Sequence, residues 1–196
     1  INIPPHYFGP QSVANIANAF AKLGVKDSST AAMERLFAHI SSAALTQDPN
    51  SLDMQNVANI LNAYAKVGIR DMGVVRAMTQ AVDAMACSPA GCTVESGDPQ
   101  AIANILHAVA VLDVRDPEAR RIVTSVLPAL LQIDPTDCQE QGVANLAWSC
   151  AVLRISDPDL MEWLRQALGF HLTTMNWSCL RQVQQLLITM ELDGVC

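Results

Sequence analysis

The segment QNVANILNAYAKVGIRD, residues 55–71, decides the fold because it recurs along the chain. Related segments occupy residues 11–27, 100–116 and 141–157, and they read QSVANIANAFAKLGVKD, QAIANILHAVAVLDVRD and QGVANLAWSCAVLRISD. A weaker fifth copy, LRQVQQLLITMELDG, lies at residues 180–194. Successive full copies start 44, 45 and 41 residues apart, and self-similarity at such a spacing indicates a protein built from stacked structural repeats.

Each copy predicts one helix, followed by a second. Val13, Ile16, Ala17 and Phe20 fall on one face at helical spacing, and the later copies repeat this pattern. Apolar residues recur helically after each copy as well, which predicts second helices at about 29–45, 72–86, 117–132 and 158–172. Polar or Pro/Gly-containing segments connect the units and contain no strand pattern.

The turn residues support the same boundaries. Helix starts are predicted at Gly9-Pro10, Asp53, Asp98-Pro99 and Thr136 or Asp137, and the Asp that closes each copy is predicted to cap the second helix. Gly24 and Gly68 occupy the left-handed position that ends a helix, where copies three and four have Asp113 and Arg154. Arg tolerates that backbone conformation less well than Gly or Asp, so the fourth turn is expected to differ.

These signals predict an all-α fold, a right-handed α-solenoid of stacked antiparallel helix pairs. We expect one domain over residues 1–196, because a single helix pair cannot bury its apolar face without a neighbouring pair. The predicted repeats cover residues 10–52, 53–97, 98–137 and 138–175, with a partial repeat at 176–193.

Composition and motifs argue against several functions. The net charge of −7 argues against strong autonomous binding of nucleic acid, although a local basic stripe remains compatible with it. The sequence contains no phosphate-binding, nucleophile or dinucleotide motif, so we predict no catalytic residues and no cofactor. The six cysteines contain no C-x-x-C pair, so we predict free thiols and no metal site. No apolar run is long enough to span a membrane.

Helix pairs of about 40 residues carrying Q-x-[VI]-A-N-[IL] and a closing Asp resemble octotricopeptide and heptatricopeptide repeat proteins. Similar arrays precede RAP domains and occur in FAST-kinase-like mitochondrial proteins. The resemblance covers residues 10–193. It implies an organellar protein, mitochondrial or alternatively plastid, that binds RNA along the surface of its first helices.

The sequence itself locates that surface. The first Gln of each copy and the residues four, seven and eleven later return to one side of a helix, opposite the apolar face. Stacking then forms four rows, which are Gln11, Gln55, Gln100 and Gln141; Asn15, Asn59, Asn104 and Asn145; Asn18, Asn62, His107 and Trp148; and Lys22, Lys66, Val111 and Val152.

The rows differ in what they predict. The invariant Asn row is interpreted as a repeat framework, with an amide ladder between adjacent helices as its simplest role. The variable row at Asn18, Asn62, His107 and Trp148 could contact successive bases, or could be ordinary solvent positions. Lys26, Arg70 and Arg115 form a further row at the turns. They could neutralise phosphates, or could pair with the Asp that follows each of them.

Two functions remain open from the sequence. The first is a non-catalytic organellar protein that binds RNA, with ribosomal RNA as one candidate, through the variable row, Lys22, Lys66 and the turn cations. The second is a scaffold or accessory subunit of a large organellar complex, such as a mitoribosome, respiratory complex or photosystem. The acidity and the apolar residues Val111 and Val152 favour the second.

Overall fold

The computed structural model describes residues 4, 7–27, 30–87, 98–114 and 117–192, and within these ranges it contains nine α-helices and no strand. Short 3-10 turns at Pro49–Ser51 and Pro135–Asp137 precede the third and seventh helices. The helices are α1 Pro10–Asp27, α2 Thr30–Leu45, α3 Met54–Val67, α4 Met72–Ala86, α5 Pro99–Val111, α6 Pro117–Leu130, α7 Glu140–Leu153, α8 Pro158–His171 and α9 Trp177–Leu192. The all-α prediction is confirmed.

The odd-numbered helices form one layer, in which α1 packs on α3, α3 on α5, α5 on α7 and α7 on α9. In a second layer α2 packs on α4 and α4 on α6. Each even helix also contacts the odd helix before it, and α8 contacts the 3-10 turn at Pro135–Asp137. Helices therefore contact their equivalents one unit further along the chain, which is the packing expected of a helical repeat.

Small side chains line the packed faces of the odd layer. The Ala that follows the apolar residue in each copy is buried in all four, at Ala14, Ala58, Ala103 and Ala144. In α7 the absence of a side chain at Gly142 allows the backbone to lie close to α5. A Cβ at this position would lie only 3.2 Å from the Gln100 side-chain oxygen. These positions leave little room for larger side chains.

A buried polar cluster joins the first two units. The Ser41 hydroxyl donates to Asp71 Oδ2 at 2.7 Å and lies 2.7 Å from the Tyr64 hydroxyl. Tyr64 also packs edge-to-face on Phe37, with ring centroids 4.9 Å apart. Burial raises the pKa of Tyr64 to about 12, so the phenol remains protonated and able to donate a hydrogen bond. Helices α2 and α3 and the start of α4 are thereby joined by hydrogen bonds as well as by apolar contact.

Most predicted helix boundaries are confirmed by their caps. Asp53, Asp71, Asp98 and Asp157 each accept hydrogen bonds from backbone N–H groups in the first turn of the helix that follows. Three helix ends share one left-handed turn, at Gly68, Asp113 and Arg154, with φ of 71°, 53° and 53°. The residue after each left-handed residue donates to a carbonyl five residues earlier, at 3.1, 3.1 and 2.9 Å. The expectation that the fourth turn would differ is therefore wrong, since Arg154 adopts the left-handed conformation and the same closing hydrogen bond forms.

Two other boundary predictions are also wrong. Helix α1 continues past Gly24 to Asp27, so Gly24 does not end it and Asp27 is not the residue that precedes α2. Thr136 and Asp137 belong to a 3-10 turn capped by Asp134, because the Asp134-Pro135 pair starts a turn ahead of α7. The proposed cap Asp116 lies outside the described residues.

Replacing Gly68 with Ala should lower the free energy of unfolding by about 1 kcal/mol. A Cβ at Gly68 would meet no atom within 4 Å, so the cost comes from the left-handed backbone alone. Gly169→Ala is the matched control, because Gly169 lies within α8 and its Cβ would also meet nothing. That substitution should raise stability by up to about 1 kcal/mol. Urea unfolding of both variants should show opposite signs, and equal signs would contradict this account of the turn.

Replacing Ala58 with Leu should cost roughly 1–3 kcal/mol, because three extra carbons must enter a closely packed face of the odd layer. Ala19→Leu is the control, since Ala19 lies on the exposed side of α1, and it should change stability by less than about 0.5 kcal/mol. Thermal melts of the two variants measure the difference. An unchanged melt for Ala58→Leu would show that the layer can move apart at little cost.

Candidate functional site

The predicted rows lie on the odd helices, and we call the four rows that begin with Gln11, Asn15, Asn18 and Lys22 the helix-A stripe. Its edges are the more exposed part. Gln11, Gln55 and Gln141 are exposed along one edge, and Lys22 and Lys66 along the other. Each odd helix packs on the next, so the rows run from helix to helix across the layer. The stripe is thus drawn from four adjacent helices.

The exposure of the Asn row decreases along the layer. Asn15 is exposed, Asn59 and Asn104 are half-buried, and Asn145 is buried. Asn104 Oδ1 accepts from Gln100 of its own helix at 3.1 Å, and Asn145 Oδ1 accepts from Gln141 at 2.9 Å. Among the described side chains, a bond from this row to a neighbouring helix forms only where Gln182 of α9 donates to Asn145 at 3.1 Å. Within the described part of the chain, the inter-helix amide bonding suggested by the sequence is therefore found between α7 and α9 and not between the earlier helices.

The variable row lies between the core and solvent, because Asn18, Asn62, His107 and Trp148 are all half-buried. His107 of α5 and Trp148 of α7 touch, with ring centroids 5.1 Å apart and ring planes inclined by 44°. This contact shows that equivalent positions of the third and fourth copies meet. Burial lowers the pKa of His107 below its ordinary value of 6.5, so the imidazole is neutral near pH 7.

Charge is distributed unevenly between this stripe and the rest of the chain. None of the sixteen residues in the four rows is acidic, and Lys22 and Lys66 are its charged members. Many of the carboxylates instead sit at turns and helix starts, where they bind backbone N–H groups, as Asp53, Asp98 and Asp157 do. The net charge of −7 therefore does not describe the charge of the stripe.

The turn cations are described at one position. Arg70 is exposed, whereas Arg115 and the side chain of Lys26 lie outside the described residues. The Asp71 carboxylate accepts hydrogen bonds from Gly73, Val74 and Ser41. No ion pair joins Arg70 to Asp71 in this described part of the chain. The alternative that the turn cation pairs with the Asp that follows it is therefore not supported at this position.

The structure adds a cleft that the sequence analysis missed. A cavity of about 420 Å³ opens at the surface between α7 and α9. It is lined by Trp148, Trp177, Ser178, Arg181, Gln182 and Gln185. The sequence contains a signal for two of these residues, because the fifth copy can be aligned on Val183 as the equivalent of Val143. That alignment puts Arg181 in the Gln row and Gln185 in the Asn row.

The described cysteines carry free thiols, at Cys87, Cys138, Cys150 and Cys179. Burial raises the pKa of Cys138 to about 11 and that of Cys150 to about 12, so neither thiol forms a reactive thiolate near neutral pH. Across the described ranges, no three His, Cys, Asp or Glu side chains are grouped closely enough to hold a metal ion. In the same ranges no helix has the length and apolar character needed to cross a membrane.

No protein-family model matches this chain, and no curated protein sequence matches it either. The resemblance to octotricopeptide and heptatricopeptide proteins therefore still rests on the repeat motif alone and stays a prediction.

The His107 imidazole should titrate below pH 6.5, and Trp148→Ala should raise its pKa towards that value by exposing the ring to water. His107 has a lower pKa in the folded protein than in the unfolded chain, so on acidification the imidazole binds a proton in the unfolded chain at a higher pH. The free energy of unfolding should therefore fall as the pH drops below 6.5, and it should fall less in His107→Gln. Histidine NMR titration measures the pKa. Trp177→Ala, two helices from α5, should leave it unchanged, and a parent pKa at or above 6.5 would contradict the burial argument.

Proposed function

We propose that this protein is a non-catalytic organellar repeat protein that binds single-stranded RNA along the helix-A stripe. The observation that carries the proposal is the helix-A stripe, in which amides, two rings, two lysines and two valines lie on stacked helices with no carboxylate among them. The proposal includes a right-handed solenoid of four repeats and a partial fifth. It places the protein in the mitochondrion, or alternatively in the plastid, with ribosomal RNA as one candidate ligand.

The chemistry of the rows suits a single strand. Amide and imidazole groups at Asn18, Asn62 and His107 can hydrogen-bond to base edges, and Trp148 offers an aromatic face for stacking. Lys22, Lys66 and Arg70 are exposed, so they can meet phosphates at the border of the stripe. The four rows contain no carboxylate, so a phosphate bound within them would contact no acidic side chain of the stripe. The carboxylates of Asp53, Asp98 and Glu140 lie beside the Gln row, at the helix starts.

A scaffold role in a large organellar complex is the second candidate, and exposed apolar side chains favour it. Val111 of the stripe is 42% exposed, and Leu23 on α1 and Leu192 on α9 are 70% and 81% exposed. Apolar side chains at both ends of the odd layer are suited to contact with other protein subunits. An accessory subunit of a ribosome-like assembly would use such contacts together with an RNA surface.

Two triple variants separate the contributions expected of an RNA surface. Replacing Lys22, Lys66 and Arg70 with Gln should weaken all RNA sequences alike and flatten the plot of log affinity against log salt by about two units of slope. Replacing Asn18, Asn62 and His107 with Ala should change which sequence is preferred and leave the slope nearly unaltered. Fluorescence anisotropy with labelled oligonucleotides over a salt series measures both effects.

The control for charge is a triple variant on the even helices, with Arg35, Arg120 and Arg165 replaced by Gln. These side chains are also exposed, and the change in net charge is the same. This variant should bind RNA with nearly the parent slope. The RNA proposal fails if the parent binds no RNA at low salt, or if the two layers respond equally, and the scaffold role then becomes the better account.

A further inference from the structure

The cleft between α7 and α9 has a composition that the stripe does not repeat elsewhere. Its volume of about 420 Å³ lies within the range of roughly 300–1,000 Å³ usual for small-molecule sites. Two of the three tryptophans in the chain line it, while the third, Trp163, is buried and donates its indole N–H to the Ile133 carbonyl at 2.9 Å. Both tryptophans that lie outside the buried core therefore line this cleft.

The two indoles are held differently. Trp148 is half-buried and packs against His107, so its position is supported from α5. Trp177, the first residue of α9, is 74% exposed and presents most of its ring to solvent. The exposed face of Trp177 is flat and apolar, and flat aromatic rings stack well on indoles.

The polar side chains of the cleft supply a cation and a set of amides. Arg181 is exposed, and no acidic side chain among the described residues forms an ion pair with it. Gln182 is fixed by two amide hydrogen bonds, because it donates to Asn145 and accepts from Gln141, each at 3.1 Å. The Gln185 side chain is exposed, so its amide can serve a ligand. A ligand with a planar ring and an attached anion would match these groups.

We propose that this cleft binds one nucleotide, with the base packed on the indoles of Trp148 and Trp177 and the phosphate paired with Arg181. Gln185 would hydrogen-bond to the base edge, beside the oriented amide of Gln182. The inference rests on the proposed function where the nucleotide belongs to an RNA strand, for which the cleft is an anchoring point at the α9 end of the stripe. A free nucleotide presents the same ring and phosphate, and the experiment distinguishes the two sources.

The experiment titrates the intact chain with adenosine 5′-monophosphate, adenosine, inorganic phosphate and a ten-nucleotide oligoadenylate. Tryptophan fluorescence reports on the cleft, since Trp163 is shielded in the core and contributes a constant background. Adenosine 5′-monophosphate should quench the emission at lower concentration than adenosine or phosphate alone. For the oligoadenylate, Trp177→Ala should weaken binding roughly five- to 150-fold, the range that corresponds to one stacked base.

The variants separate stacking from charge. Trp177→Phe should restore most of the binding lost in Trp177→Ala, because an aromatic face is kept. Arg181→Gln should remove the advantage of the monophosphate over adenosine and reduce the salt slope by about 0.7. Arg120→Gln removes the same charge from α6 in the even layer and should behave like the parent. Far-UV circular dichroism should be unchanged throughout, since Trp177, Arg181 and Arg120 are all exposed.

The outcomes distinguish this inference from the proposed function. If the parent binds the oligonucleotide and neither Trp177→Ala nor Arg181→Gln alters that binding, the nucleotide cleft is overturned and the RNA stripe stands. If the monophosphate binds through these two residues and the oligonucleotide does not bind, the cleft is a free-nucleotide site and the RNA function fails. If neither ligand binds, both proposals are overturned, and the two indoles are left to a protein partner.

Discussion

Close packing between odd-numbered helices is the constraint on which the rest of the structure depends. Each odd helix must approach the next one closely enough to bury both apolar faces, and alanine recurs at the positions that allow this, from Ala14 to Ala144. Alanine combines the highest helix propensity with the smallest side chain that does not loosen the backbone. Where α7 meets Gln100, glycine removes even the Cβ.

This packing also determines which side chains become neighbours on the opposite side of the same helices. Helices α5 and α7 pack so that the equivalent residues His107 and Trp148 become neighbours. The repeat also separates charge by position. Several carboxylates are used at helix starts, where they satisfy backbone N–H groups, and none of the sixteen residues of the helix-A stripe is acidic. An acidic protein can therefore carry a surface suited to an anionic ligand.

Local chemistry explains which boundaries were predictable. Asp71 and Asp157 were expected as caps and act as caps, because a carboxylate bonded to first-turn N–H groups is a short-range interaction that neighbouring residues specify. The first copy was misjudged, since Gly24 permits a helix end without requiring one and α1 continues to Asp27. Arg154 was misjudged in the opposite sense, because the closing hydrogen bond of Ile155 and the packing of Ile155 against the core offset the cost of a left-handed backbone at Arg.

The sequence by itself determined that the protein is helical, where most of its helices begin and end, and which face of each first helix is polar, because these follow from interactions within a few residues. Tertiary structure alone decided how far each polar side chain reaches the surface. The Asn row has one residue type throughout, yet it runs from exposed Asn15 to buried Asn145, since burial depends on the neighbouring helix. Tertiary structure also created the cleft of Trp148, Trp177 and Arg181, because its walls come from helices α7 and α9, which are separated in sequence and joined only by packing.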